Sequence, residues 1–200
     1  MRNEQTKKLT LTAMFIAIEL LLFMVPFLGF IPIGPINATT LHIPVIIAGI
    51  ILGKNRGALL GLVFGIASIT NATINVTPGS FLFSPFVSGN LMSAFIAIVP
   101  RMTLGYIAGY LFELAQKVKP DFAFNIPAVA LASSFIHSVF VLGSIYVLYG
   151  QAYASLYNVS LDALLPIIFG ILATNSVIEA ILGSVLATLV CRPILKYLRK

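Results

Sequence analysis

The chain has 200 residues, of which 59% are hydrophobic and only 9% charged, with a net charge of +6 and a mean hydropathy of +1.04. Soluble domains carry about 25% charged residues, so this chain cannot coat a water-exposed surface, and a soluble catalytic or nucleotide-binding domain is excluded. A single cysteine, Cys191, excludes an internal disulfide framework and a cysteine-built metal site.

Six helical spans are expected in chain order. The first covers about residues 9–25 and stops at Pro26. Its apolar run is longer than a signal-peptide core and no A-x-A cleavage pattern follows, so it reads as a membrane helix. The second, about 43–53, is short. The others cover about 57–72, 89–114, 124–149 and 162–197. The fourth and sixth are longer than a bilayer requires, which predicts tilt, protrusion or a break. The expected fold class is an all-α integral membrane protein: a bundle of six transmembrane helices forming a single domain over residues 1–200. No internal repeat is visible, which weighs against transporter folds built from two related halves.

Charge placement sets the orientation. Arg2, Lys7 and Lys8 precede the first span, Lys54 and Arg56 lie between the second and third, and Lys117 and Lys119 between the fourth and fifth. Arg192, Lys196, Arg199 and Lys200 close the chain. An even number of spans puts all four groups on one side, which makes the N- and C-termini cytoplasmic. The basic balance is thus topological, with anionic lipid as its neighbour and no nucleic acid. The opposite loops hold no Lys or Arg but many Asn, Ser, Thr, Pro and Gly, as in "IPIGPINATTLHIPVII" (31–47) and "NATINVTPGSFLFSPFVSGN" (71–90). The N-x-S/T triplets at Asn37, Asn71, Asn75 and Asn158 read as ordinary outer-loop composition.

Charge inside a membrane is costly and marks a functional candidate. Glu19, Arg101, His137 and Glu179 qualify, with Asn175 as a neutral companion. At ~1.5 Å per residue, Arg101, His137 and Asn175 each lie roughly 18–20 Å below the outer ends of their helices. Glu179 follows Asn175 by one turn on the same face. Three helices thus offer polar groups at similar depth. Two readings stay open for Arg101, an ion pair with Glu179 or a ligand contact, and two for His137, an interhelical hydrogen bond or a ligand contact. No H-x-x-x-H, H-E-x-x-H, G-x-S-x-G or Walker pattern is present, so no metal site, resident cofactor or enzyme is expected. Gly57, Gly61 and Gly65, Gly105 and Gly109, and Ala13 and Ala17 form small-residue faces that let helices approach closely.

Together these features resemble the substrate-binding S component of an energy-coupling factor (ECF) vitamin transporter. The resemblance covers nearly the whole chain: Ala13/Ala17 in the first helix, "IPIGPINATTLHIPVIIAGIILG" leading into "GALLGLVFG", then "SFLFSPF" and "AIVPRMTLG". It is strongest to the pantothenate type, with hydroxymethylpyrimidine or pyridoxine as alternative vitamins. The resemblance implies a high-affinity capture subunit in a prokaryotic plasma membrane, without an ATPase of its own. It docks on a membrane T protein bound to two ABC-type ATPases, which use the ATP. Ala13 and Ala17 would form the docking face, and the loops 26–42 and 71–90 the lid and wall of the pocket. Arg101 would meet the pantothenate carboxylate. Asn37, Asn71, Asn75, Asn90, His137, Asn175 and Tyr146 would serve its amide and hydroxyl groups, and Glu179 is a further substrate-binding candidate. The rival of another class is an autonomous secondary transporter.

Overall fold

The computed structural model describes residues 2–25, 29–33, 36–120 and 123–198, with the backbone alone at 2–4, 30–33, 36–38 and 198. Helix α1 (Arg2–Met24) is followed by a two-stranded antiparallel hairpin, β1 (Phe30–Ile33) and β2 (Ile36–Thr39), registered Phe30↔Thr39 to Ile33↔Ile36. The Thr40 N–H donates to the Gly29 carbonyl (3.1 Å) and closes the base of the hairpin. Gly29 lies against the backbone of Leu22, where any side chain would overlap the Leu22 carbonyl. The sequence expectation of an outer loop over 26–42 is thus refined: hydrogen bonds between the two strands satisfy backbone groups that a membrane interior could not.

Helix α2 (His42–Leu52) is short and buried on nearly every face, as a run of Ile, Val, Ala and Gly without charge requires. Gly53 joins it to α3 (Lys54–Ile74) at φ +91°, a conformation that favours glycine and lets the chain reverse in one residue. Next come a 3₁₀ turn (Ser80–Leu82) and a single helical turn, α4 (Pro85–Ser88). Helix α4 is capped by the Ser84 Oγ, which accepts from the Val87 N–H (3.3 Å).

Helix α5 (Met92–Val118) packs most extensively on α3. A Cβ on Gly57 would overlap the Gly105 carbonyl, one on Gly105 would overlap the Gly57 carbonyl, and one on Gly61 would overlap the Arg101 carbonyl. The glycine faces therefore place two backbones in direct contact. Gly49 of α2 packs against the same stretch, with a built Cβ 2.6 Å from the Gly105 carbonyl oxygen.

Helix α6 (Asn125–Leu156) is long and breaks at Tyr149 (φ −134°, ψ 19°). A hydroxyl network braces this break: the Ser93 Oγ lies 2.8 Å from the Tyr149 hydroxyl and 2.6 Å from the Phe81 carbonyl oxygen, to which it donates. The last stretch comprises α7 (Leu161–Ile171), a π-helical turn (Leu172–Ser176) and α8 (Val177–Leu198). The break expected in this overlong segment is the widened turn, a feature often found at functional positions.

Among the described residues four stretches are long and apolar enough to cross a membrane, α3, α5, α6 and the run Leu161–Tyr197; of the six expected spans, the first (α1) and the short second (α2) are not among them. The outward faces of the four carry exposed Ile66, Phe135, Val147, Phe169, Ile178 and Leu189. Water would penalise these side chains, whereas a bilayer matches them. At one end of the bundle Lys54 pairs with Glu113 (3.1 Å) beneath the rings of Tyr106 and Tyr110. This combination of aromatic and charged side chains suits a headgroup level.

Candidate functional site

The site begins with Pro100. Proline has no N–H, so the Ile96 carbonyl one turn earlier loses its helical donor. The next residue supplies the replacement: the Arg101 Nη1 donates to the Ile96 carbonyl oxygen at 2.9 Å. The same deformed turn serves α6. The Pro100 carbonyl accepts from His137 Nδ1 (3.1 Å) and from the Thr103 hydroxyl (2.8 Å). In neutral His137 this leaves Nε2 as an acceptor. The Arg101 guanidinium lies 4.9 Å from the Phe64 ring centre and 5.1 Å from that of Phe83. Arg101 is 6% exposed, and its Nε has no partner among the described residues.

A second polar group gathers at the N-terminus of α2. Glu179 of α8 accepts the Thr39 backbone N–H on Oε1 (3.0 Å), fastening the end of the hairpin. His42 Nδ1 donates to the Thr39 carbonyl oxygen (2.6 Å), and its Nε2 lies 3.4 Å from the Glu179 backbone oxygen. Gly183, one turn beyond Glu179, makes room for this ring: a Cβ there would sit 3.0 Å from His42 Nε2 and 3.6 Å from Ser134 Oγ.

Between the two groups lies a cavity of about 90 Å³. A single water needs roughly 10–15 Å³ on the same measure, so the space holds several polar groups of a small molecule. Arg101, His137, Asn175 and Glu179 all line it, as do Thr39 and His42. The similar depths expected for Arg101, His137 and Asn175 therefore correspond to one chamber. No Arg101–Glu179 ion pair forms; the ion pair among the described residues is Lys54–Glu113.

The remaining candidates lie elsewhere. Asn71 and Asn75 bond to each other, Nδ2 to Oδ1 at 2.8 Å, and Asn90 Oδ1 accepts the Met92 N–H (3.0 Å) at the start of α5. None of the three lines the cavity, and neither does Tyr146, which packs on the apolar cluster around Tyr153. The Asn37 side chain lies outside the described residues. Ala13 and Ala17 are exposed on α1 beside Met14, Ile18 and Leu21. Glu19, fully buried, has no partner for either oxygen among the described residues and does not line the cavity.

Sequence reasoning missed Ser134, Ser138, Ser176 and Phe83, which also line the chamber. A signal was available on α6: positions 134, 137, 138 and 141 share one helical face, and all four reach the cavity.

The model for "ECF transporter, substrate-specific component" matches residues 7–191. A protein of Lactococcus lactis subsp. cremoris named "Pantothenic acid transporter PanT" is 36% identical over 196 residues, covering 94% of this chain and 93% of the relative. A protein of Leuconostoc mesenteroides subsp. mesenteroides named "Pantothenate transporter PanT" is 31% identical over 195 residues, covering 93% of this chain and 91% of the relative. With helices able to cross a membrane around a polar chamber, the chain belongs to the family of ECF transporter substrate-specific components, multi-pass transport proteins of the prokaryotic plasma membrane.

Proposed function

We propose that this chain captures pantothenate from outside the cell and passes it to a transport engine built from other subunits. The observation that carries the reading is Arg101. Its guanidinium lines a membrane-embedded cavity, is anchored on a backbone carbonyl, and pairs with no carboxylate among the described residues. A buried cation held in this way suits an anionic ligand, and two fingers of the guanidinium can meet a carboxylate together. The relatives' names supply the vitamin, and pantothenate is a carboxylate. Asn175, His137 and Glu179 then serve its amide and hydroxyl groups.

The topology in this reading is six crossings with both termini in the cytoplasm, α2 with its hairpin making one of them. The four basic groups support it, since an even number of crossings collects them on one side. The partners in this reading are a T protein and two ABC-type ATPases that consume ATP, with no ATPase in this chain, a division of labour that membership among the substrate-specific components supports. The exposed Ala13 and Ala17 face of α1 is the docking surface, smooth enough for close helix approach.

Calorimetry on the purified chain tests the reading. Pantothenate binds in preference to pyridoxine and hydroxymethylpyrimidine, and Arg101→Ala costs roughly 2–5 kcal/mol, the usual cost of breaking a buried charged contact. Affinity within about twofold of wild type after that substitution refutes the cation's role. Gradient-driven uptake by the chain reconstituted alone supports an autonomous transporter instead.

A further inference from the structure

We infer that the captured vitamin has one fixed orientation: its carboxylate on Arg101 and its hydroxylated end against Glu179 and Ser134, beside the α2 N-terminus. The inference rests on the pantothenate reading above.

Its starting point is that Arg101 and Glu179 line one cavity without pairing. Opposite charges in a poorly polarisable interior attract strongly when free to meet. Here each is held from behind. Arg101 is tied to the Ile96 carbonyl and flanked by Phe64 and Phe83. Glu179 is tied through Oε1 to the Thr39 N–H. Each keeps spare capacity: the Arg101 Nε is unpartnered, and Glu179 uses only one oxygen in a described bond. A molecule placed between them must offer acceptors at one end and donors at the other.

Ser134 adds a second group with spare hydrogen-bonding capacity at the Glu179 end, where the carboxylate decides that donors are received. It is 3% exposed, its Oγ has no partner among the described residues, and it lines the cavity. A buried hydroxyl left unpaired is costly, and a ligand group can complete it. The Cβ position at Gly183 lies within 3.6 Å of this Oγ and 3.0 Å of His42 Nε2, so serine and imidazole share one corner. The His42 ring itself is engaged with backbone, its Nδ1 at 2.6 Å from the Thr39 carbonyl oxygen and its Nε2 at 3.4 Å from that of Glu179. This corner therefore offers a carboxylate oxygen and a hydroxyl. A ligand carboxylate there would face Glu179 as a like charge, whereas alcohol O–H groups can donate into it. At Arg101 the preferences reverse.

Protein variants combined with ligand analogues test the orientation. Two analogues suffice: pantothenyl alcohol, in which the carboxylate becomes a hydroxymethyl group, and a deoxy compound in which hydrogen replaces the terminal hydroxyl. Affinities are measured on the full chain in detergent. Wild type prefers pantothenate over each analogue by roughly ten- to a hundredfold, the range for hydrogen bonds that involve a charged group. Arg101→Gln abolishes the preference over pantothenyl alcohol and keeps the preference over the deoxy compound. Glu179→Gln does the reverse while retaining an amide oxygen for the Thr39 N–H. Ser134→Ala, a small change, weakens the same hydroxyl preference and guards against misfolding of the Glu179 variant. A swapped pattern, or hydroxyl preference intact in both the Glu179 and Ser134 variants, overturns the orientation while leaving the vitamin assignment standing. Wild type that does not bind pantothenate overturns both.

Discussion

Pro100→Ala separates the stability of α5 from the readiness of its cation. The substitution gives residue 100 an N–H, which completes the helical ladder to the Ile96 carbonyl and competes with the Arg101 Nη1 bond of 2.9 Å. Proline in a helix interior costs about 3 kcal/mol relative to alanine, while the displaced hydrogen bond, involving a charged donor, is worth about 1.5–3 kcal/mol. The fold is therefore expected to gain up to about 1–2 kcal/mol, read as a higher melting temperature. Binding moves the other way. An arginine side chain carries about 2 kcal/mol of rotamer entropy, and without its anchor part of that ordering must occur when ligand arrives. Pantothenate affinity is expected to fall about five- to thirtyfold, each tenfold being about 1.4 kcal/mol. Thermal unfolding and calorimetry on one detergent preparation give both numbers. A stabilised variant with unchanged affinity refutes the idea that the proline readies Arg101.

Three further substitutions probe other parts of the structure. Gly61→Val drives a side chain into the Arg101 carbonyl, and because backbone cannot yield as a flexible side chain does, a loss of at least about 2 kcal/mol in stability is expected, together with weakened binding. Glu179→Ala leaves the Thr39 N–H without its acceptor, so amide exchange there accelerates by about tenfold or more, whereas Glu179→Gln preserves most of the protection. Lys54→Ala breaks the Lys54–Glu113 pair, but its members are 34% and 45% exposed, so the change in unfolding free energy stays within about 1 kcal/mol.

The greater part of the architecture was legible because a bilayer demands long apolar helices, and hydropathy displays them directly. The meeting of Arg101, His137, Asn175 and Glu179 in one cavity was legible for a similar reason: rise per residue converts sequence position into depth. What depth does not give is azimuth. Ser134 lies beside Ser133 in sequence, yet Ser133 bonds back to the Val129 carbonyl at 2.7 Å while Ser134 faces the cavity. Asn71, Asn75 and Asn90 do not line the cavity, and sequence alone could not say so, because Asn serves turns and caps as readily as ligands, as the Asn90–Met92 bond shows. Nor could composition reveal that an adjacent proline and arginine act together, one vacating a carbonyl and the other occupying it.

The contact of α2 and α5 at Gly49 and of α3 and α5 at Gly57, Gly61 and Gly105 has a mechanical consequence. Where main chain rests on main chain there are no rotamers to rearrange, so that side of the chamber behaves as a stiff spine. Compliance must come from the opposite side, where the hairpin hangs on a Glu179 hydrogen bond and α8 begins at a widened turn. Loading and unloading of cargo would then leave Arg101, riding on the spine, almost stationary.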